Sequence, residues 1–386
     1  MSEKVVRAFF ALLASALNNS PVGETVSETD VDTLRAVISL AKRQDLVALL
    51  AHGLEVCGIA IADEELCAVI KRETMSSFIR YERSNYELHA ICRALGEAGI
   101  PHIPLKGSVM RRYYPEPWLR TSCDIDVLVK AEDVDRAAEQ LVSALGYEIG
   151  ERGSHDLGLK ARSGVYLELH FDLNEPDYKS FACLDAVWDH VSARDGSEYT
   201  MDMRWDVFCF YHVAHMAKHV VNGGCGVRPF IDLWLVRRSE EFDEAATLSL
   251  LGREGLLDFF ECAVRLSDVW FSADEPDDRS LDMQAYILDG GLYGNVEQRV
   301  RIQQVKRGGR LKYALSRIFL PYSQMKYRYP IVVRHRWLMP FMHVRRWFGI
   351  LFGGGVRRSI NELKAAGAVG DGEMDATRRF LSDIGL

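Results

Sequence analysis

The chain has 386 residues, with 47 Lys and Arg against 55 Asp and Glu and a formal net charge of −8. Hydrophobic residues make up 48% and charged residues 26%, a globular balance that excludes disordered, collagen-like and multi-span membrane classes. At roughly 100–200 residues per domain the length predicts two or three domains, and no window reaches the ~18 unbroken apolar residues of a membrane span.

The eight cysteines (Cys57, Cys67, Cys92, Cys123, Cys183, Cys209, Cys225 and Cys262) are scattered, without a C-x-x-C pair or a zinc spacing. They predict thiols in a reducing cytoplasm. Residues 8–17, behind Lys4 and Arg7, imitate the apolar core of a signal peptide. Val5, Val6, Phe9, Phe10, Leu12, Leu13 and Leu17 nevertheless fall at helical spacing, so a packed first helix is expected.

Residues 1–95 alternate periodic apolar runs at 31–42, 46–54 and 76–98 with short polar breaks, which predicts a helical N-terminal domain. From Gly99 the texture changes. Short β-type runs at 100–105, 125–129, 147–150 and 165–171 alternate with helical patterns at 108–114 and 132–145, predicting a small α/β core over 96–175. After Pro176 helical patterns return at 205–221, 230–238 and 256–271, a helical domain reaching about residue 290, and 291–386 form a basic helical C-terminal region. The expected fold class is α+β, a small core flanked by helical domains.

The chemistry concentrates around Asp124-Ile125-Asp126-Val127-Leu128-Val129. A strand turns alternate side chains to opposite faces, so Asp124 and Asp126 project together while Ile125 and Val127 enter the core. Two carboxylates on one face are costly unless a cation lies between them, and hard oxygen ligands suit Mg²⁺, or Mn²⁺ in its place. Upstream, Leu105-Lys106-Gly107-Ser108 reads as a strand-to-helix turn, where backbone N–H groups, the Lys106 charge and the Ser108 hydroxyl favour an anion. Downstream, Tyr166-Leu167-Glu168-Leu169-His170-Phe171 reads as a strand with Glu168 and His170 on one face. Glu168 is the natural third carboxylate.

The order strand, Gly-Ser turn, helix, h-D-h-D-h and later strand with h-E-h resembles the nucleotidyltransferase superfamily of the DNA polymerase beta type. More narrowly, Leu105-Lys106-Gly107, Tyr114-Pro115, Arg120, Asp124-x-Asp126 and Leu167-Glu168-Leu169-His170 resemble the uncharacterised bacterial nucleotidyltransferase family NTP_transf_5. His215-x-x-x-His219, Arg228-x-x-x-Asp232, residues 317–321 and Tyr329-Pro330 carry weaker echoes. The gap from turn to first aspartate is longer than the superfamily's, and Lys106-Gly107-Ser108 replaces its commoner Gly-Gly or Gly-Ser entry.

The resemblance implies a mixed-sheet nucleotidyltransferase core that transfers a nucleoside monophosphate from a nucleoside triphosphate to a hydroxyl acceptor, a small molecule, a protein or an RNA. Asp124, Asp126 and Glu168 would be the metal ligands and catalytic carboxylates. Gly107 and Ser108 would hold the β and γ phosphates, and Lys106 and Arg120 would balance their charge. Arg120 is equally readable as a solvated loop residue.

Weaker signals leave more than one reading open. His212, His215 and His219 share a helix face that predicts a polar surface toward the cleft in preference to a metal site. His215, His219, Arg228 and Asp232 would then reach the base, the ribose or the acceptor, with inter-helix polar packing as the alternative. His170 would orient Glu168 or the acceptor, or is an edge histidine. Gly223-Gly224-Cys225-Gly226 and Gly353-Gly354-Gly355 lack a following Lys-Ser or Lys-Thr and read as turns. Between Arg299 and Arg358 stand fifteen Lys and Arg and no Asp or Glu, leaving 32 basic against 55 acidic residues elsewhere. With Tyr313, Tyr322, Tyr327, Tyr329, Trp337, Trp347 and Phe348 interleaved, this segment suits single-stranded nucleic acid, an anionic membrane surface, or pairing with the acidic remainder. An adaptor without catalysis, working through that segment, is the alternative to an enzyme.

Overall fold

The computed structural model describes residues 2–21, 30–174, 178–272, 274–291, 294–352 and 370–386. They group into two units, 1–215 with 227–284, and 216–226 with 285–386.

The first unit begins with helices α1 (Glu3–Asn18), α2 (Val31–Arg43) and α3 (Val47–Val56). Phe9, Leu12 and Leu13 of α1 are fully buried, the packed helix that their spacing predicts. Ser2 and Asp30 cap α1 and α2 by accepting from the amides of Val5 and Thr33. A Cβ at Gly53 of α3 would lie 2.1 Å from the Leu12 carbonyl oxygen, so this crossing requires glycine.

Next come α4 (Glu64–Glu97), β1 (His102–Pro104), α5 (Gly107–Met110), β2 (Asp124–Val129), α6 (Val134–Leu145), β3 (Glu148–Arg152), β4 (Asp156–Lys160) and β5 (Tyr166–His170). The strands form one sheet in the order β1-β2-β5-β4-β3. β2 and β5 are parallel and the other neighbours antiparallel, so the fold is α+β with a mixed sheet. Ile125, Val127, Leu167 and Leu169 pack from one face of the sheet against Ile91 and Leu95 of α4 and Ala137 and Leu141 of α6. Strand alternation therefore turns Asp124, Asp126, Glu168 and His170 to the opposite face.

Three elements depart from the sequence expectation. Strand β4 was not anticipated: Gly158 at its centre and the charged ends Asp156 and Lys160 leave two leucines as its only apolar signal. A two-stranded sheet of β6 (Val191–Ala193) and β7 (Met201–Met203) lies where helices were expected to resume. Its strands are too short to show a period; the expected boundary at 176 lies outside the described residues. Finally, the helix expected over 108–114 is the four-residue α5 followed by a 3-10 turn at Arg111–Tyr113.

The unit continues through α7 (Ala182–Asp185), α8 (Trp205–Val220), α9 (Arg228–Arg237), α10 (Glu244–Glu254) and α11 (Leu257–Phe271). Phe10 of α1 stacks on Trp270 of α11, with ring centroids 4.3 Å apart and 14° between planes. The second unit takes the ends of α8 and α12 (Asp278–Gly290) and adds α13 (Val296–Arg307), α14 (Arg310–Ile318), α15 (Tyr322–Arg328), α16 (Ile331–Arg334), α17 (Met339–Phe352) and α18 (Asp371–Asp383). Gly223 and Gly224 stand at φ 113° and 128°, glycine-only backbone within the turn expected there; the run at 353–355 lies outside the described residues. Among the described residues no helix is long and apolar enough to cross a membrane.

Candidate active site

Parallel pairing of β2 and β5 sets Asp124 opposite Tyr166, Asp126 opposite Glu168 and Leu128 opposite His170. Ligand atoms of Asp126, Glu168 and His170 all lie within 4.8 Å of one another. One carboxylate oxygen of Asp126, Oδ1, accepts from Lys106 Nζ at 2.7 Å and is 2.9 Å from His170 Nε2, which lies 3.5 Å from Glu168 Oε2. Burial opposes ionisation of Asp126, but the Lys106 charge and the His170 hydrogen bond outweigh it and hold the carboxyl below the usual range. Burial likewise opposes the His170 imidazolium, and its bonds to Asp126 and Glu168 raise it nonetheless.

Asp124 is different. No side chain among the described residues donates to its carboxylate, and burial, followed by the charges of Asp126 and Glu168, pushes it up to about 6. Even with His170 protonated beside Lys106, three carboxylates against two cations leave negative charge unbalanced on this face, which suits a divalent cation. The raised value has a sign. In metal-free protein the folded state keeps its Asp124 proton to about pH 6 while the unfolded chain loses it near the ordinary aspartate value of 3.8. Stability should therefore fall as pH rises through that window. Asp124→Asn is expected to stabilise the metal-free protein at pH 7 by about 1–3 kcal/mol and by nearly nothing at about pH 4. Urea unfolding at both pH values checks this, and an equal gain at both would contradict it.

Leu105, Lys106, Gly107 and Ser108 make a tight turn closed by the Ser108 amide donating to the Leu105 carbonyl at 3.1 Å. Lys106 stands at φ 42°, ψ −115°, the first central position of a type II′ turn, which favours glycine. Lysine there is strained by about 1–3 kcal/mol. Its ammonium lies on Asp126, so the charge interaction holds the strained backbone. Lys106→Gly and Lys106→Ala both delete the charge, but the glycine variant is expected to be more stable by about 1–2 kcal/mol; equal urea midpoints would mean an unstrained turn.

This geometry corrects the phosphate-binding expectation in one respect. The Ser108 amide is spent on closing the turn, and a four-residue α5 supplies little dipole. The Gly107 amide and Ser108 hydroxyl remain as donors.

Arg120 is not a solvated loop residue. Its Nε and Nη2 donate to Asp232 at 2.9 and 2.6 Å, Tyr114 Oη adds a 2.8 Å bond to the same carboxylate, and all three residues are buried. The remaining nitrogen, Nη1, fills the space a Cβ at Gly107 would need, 2.4 Å away. Arg111, which the sequence reading missed, donates through Nε to the Gly107 carbonyl at 3.1 Å and lies over the Tyr81 ring. Burial, then the neighbouring Arg120 charge, lowers Arg111 to about 10. Two guanidinium groups thus bracket Gly107, with a single carboxylate among the described residues, Asp232, bonded to either of them. The only signal in the sequence was arginine four residues after that glycine on a helical turn.

Arg228 donates to Asp45 at 3.1 Å, and Arg80 donates to the same carboxylate. His212 does not share the cleft-facing surface expected of it: it is buried, with Nε2 3.0 Å from the Pro229 carbonyl. A helix period fixes angles around α8 but not what packs on each side. The His215 ring lies 6.2 Å from that of Tyr211. His219 belongs to the second unit.

Comparison with known proteins yields one family model, described as an uncharacterised nucleotidyltransferase, matching residues 30–272. No curated protein matches. Among solved structures the chain is similar to the antibiotic-resistance factor ANT(2'')-Ia at 15% identity and a TM-score of 0.34, over 45% of this chain and 94% of that one. It is also similar to the Thermotoga maritima CCA-adding enzyme, solved in complex with tRNA, at 11% identity and a TM-score of 0.19, over 76% of this chain and 81% of that one.

Proposed function

The chain belongs to the family of uncharacterised nucleotidyltransferases, and we propose that it moves a nucleoside monophosphate from a nucleoside triphosphate to a hydroxyl acceptor, releasing pyrophosphate. The observation that supports this reading is that Asp124, Asp126 and Glu168 share one face of two parallel strands, with ligand atoms of Asp126, Glu168 and His170 within 4.8 Å of one another and Lys106 of the Lys106-Gly107-Ser108 turn bonded to Asp126. Unbalanced carboxylate charge there fits Mg²⁺ or Mn²⁺, with Asp124, Asp126 and Glu168 as its holders. When bound, the ion supplies charge stabilisation to the triphosphate and acidifies the acceptor hydroxyl.

The chain's own groups divide the remaining work. Glu168 takes the hydroxyl proton as the acceptor oxygen bonds to the α-phosphorus. The bond from that phosphorus to the bridging oxygen breaks, and its electron pair leaves on pyrophosphate. His170 orients Asp126 and Glu168. Lys106, the Gly107 amide and the Ser108 hydroxyl bind the β and γ phosphates, and Arg120 and Asp232 act by holding the turn in place. His215 and Arg228 are assigned to the nucleotide or acceptor from the family resemblance. The acceptor is a small molecule, a protein or an RNA, since the chemistry selects an oxygen nucleophile whatever carries it. The cysteines are thiols, which supports a cytoplasmic location.

Incubating the protein with α-labelled and, separately, γ-labelled nucleoside triphosphates and a cell extract tests the reading. Transfer of the α label, dependent on divalent metal and lost in Asp124→Asn/Asp126→Asn, is expected. Transfer of the γ label instead would overturn it in favour of phosphoryl transfer, and metal-independent labelling would remove the role of the carboxylates.

A further inference from the structure

The second unit carries a surface to which none of the residues assigned to nucleotidyl transfer belongs. From Arg299 to Phe352 it holds thirteen Lys and Arg and no Asp or Glu. In the 3-10 turn Arg336–Leu338 and in α17, Trp337, Phe341, Val344 and Phe348 recur at intervals of three and four residues, along one helical stripe. Trp337 is 68%, Phe341 61% and Phe348 55% exposed. Ile331 and Val333 just before them are exposed as well. The opposite face of α17 is committed inward. Arg346 donates to the carbonyls of Arg317 and Ile318 at 2.8 and 3.0 Å, Trp347 donates to the Ile318 carbonyl at 3.1 Å, and His343 is buried. The helix is thus anchored by one face and shows an apolar stripe on the other, with Arg334, Arg336 and Arg345 exposed alongside.

We propose that this stripe lies on an anionic lipid surface, its apolar side chains at the boundary of headgroups and acyl chains and its arginines on the lipid phosphates. Contiguous exposed apolar side chains mark a contact surface. Trp and Phe beside arginines are the composition of an interfacial helix, and the absence of carboxylates from 299–352 removes repulsion from anionic headgroups. At 14 residues α17 is too short to span a bilayer. Single-stranded RNA suits the surface less: Ile331, Val333 and Val344 offer no ring on which a base stacks, whereas hydrocarbon accepts them with the aromatics. A second copy would bring two basic faces together. The inference uses none of the carboxylate-site residues and stands apart from the proposed transfer reaction.

Flotation of the full chain with vesicles tests it. The protein is expected to float with phosphatidylcholine vesicles containing about 30 mol % phosphatidylglycerol and at least about tenfold less with phosphatidylcholine alone. Phe341→Asp/Phe348→Asp is expected to lower partitioning by on the order of tenfold or more. Both positions are exposed, so the fold, followed by circular dichroism, should persist. Arg334→Glu/Arg345→Glu is expected to weaken binding strongly at low salt and less at high salt. No flotation with anionic vesicles, or unchanged flotation of the Phe341→Asp/Phe348→Asp variant, would overturn the proposal. So would tight binding of a single-stranded RNA oligomer without vesicle binding, or a sedimenting dimer that the aspartate variant dissolves without vesicle binding.

Discussion

Replacing Asp126 by asparagine is expected to lower kcat/KM for nucleotidyl transfer by at least about 10³-fold while leaving the protein folded. Asp126 is the carboxylate on which the site converges, accepting from Lys106 at 2.7 Å and lying 2.9 Å from His170 Nε2. Asparagine keeps the shape and an oxygen acceptor but removes the negative charge a cation needs. Both variants leave part-buried Lys106 without this counter-charge, and Asp126→Ala, which also removes the oxygen acceptor, is expected to lose activity to the same degree and, beyond the asparagine variant, more stability, about 3–5 kcal/mol in all. Steady-state kinetics with urea unfolding separates the two effects, and an asparagine variant with wild-type kcat/KM would contradict the assignment.

The second large effect belongs to the Arg120–Asp232 pair. Both side chains are almost wholly buried, and their closest contact is 2.6 Å. Removing either partner leaves an uncompensated charge in the interior, so Arg120→Ala and Asp232→Ala are each expected to cost about 3–5 kcal/mol. Replacing both by apolar residues of similar size, as in Arg120→Met/Asp232→Leu, should recover most of that loss, since a buried pair is worth little more than good packing. A double-mutant cycle by urea unfolding checks this. Single variants within about 1 kcal/mol of wild type would show that the pair is hydrated rather than buried.

How far the sequence reaches is visible in these same residues. The Asp-x-Asp alternation fixed the faces of β2 because a strand's period of two leaves no other arrangement once Ile125 and Val127 are buried. The same logic put Glu168 and His170 together on β5. What the alternation did not contain is register: that Asp126 meets Glu168, and that Lys106 reaches back to Asp126, are consequences of pairing between distant segments. The sequence leaves Arg120 phosphate-facing or solvated and Asp232 ligand-facing or packed between helices, yet their pairing joins positions 112 apart in the chain, and no local pattern records such a contact. His212 fell on the expected helix face and turned out to serve the Pro229 carbonyl. Gly158 hid β4 because the strand's central position carries no side chain to read.

The most direct test of the central claim, that Asp124, Asp126 and Glu168 together hold divalent cations for a nucleoside triphosphate, is a calorimetric titration of Mg²⁺ with nucleotide into the intact protein and into Asp124→Asn/Asp126→Asn. Saturable binding to the wild type that the double variant loses is the expected result. Equal binding by both proteins would place the nucleotide elsewhere and contradict the account.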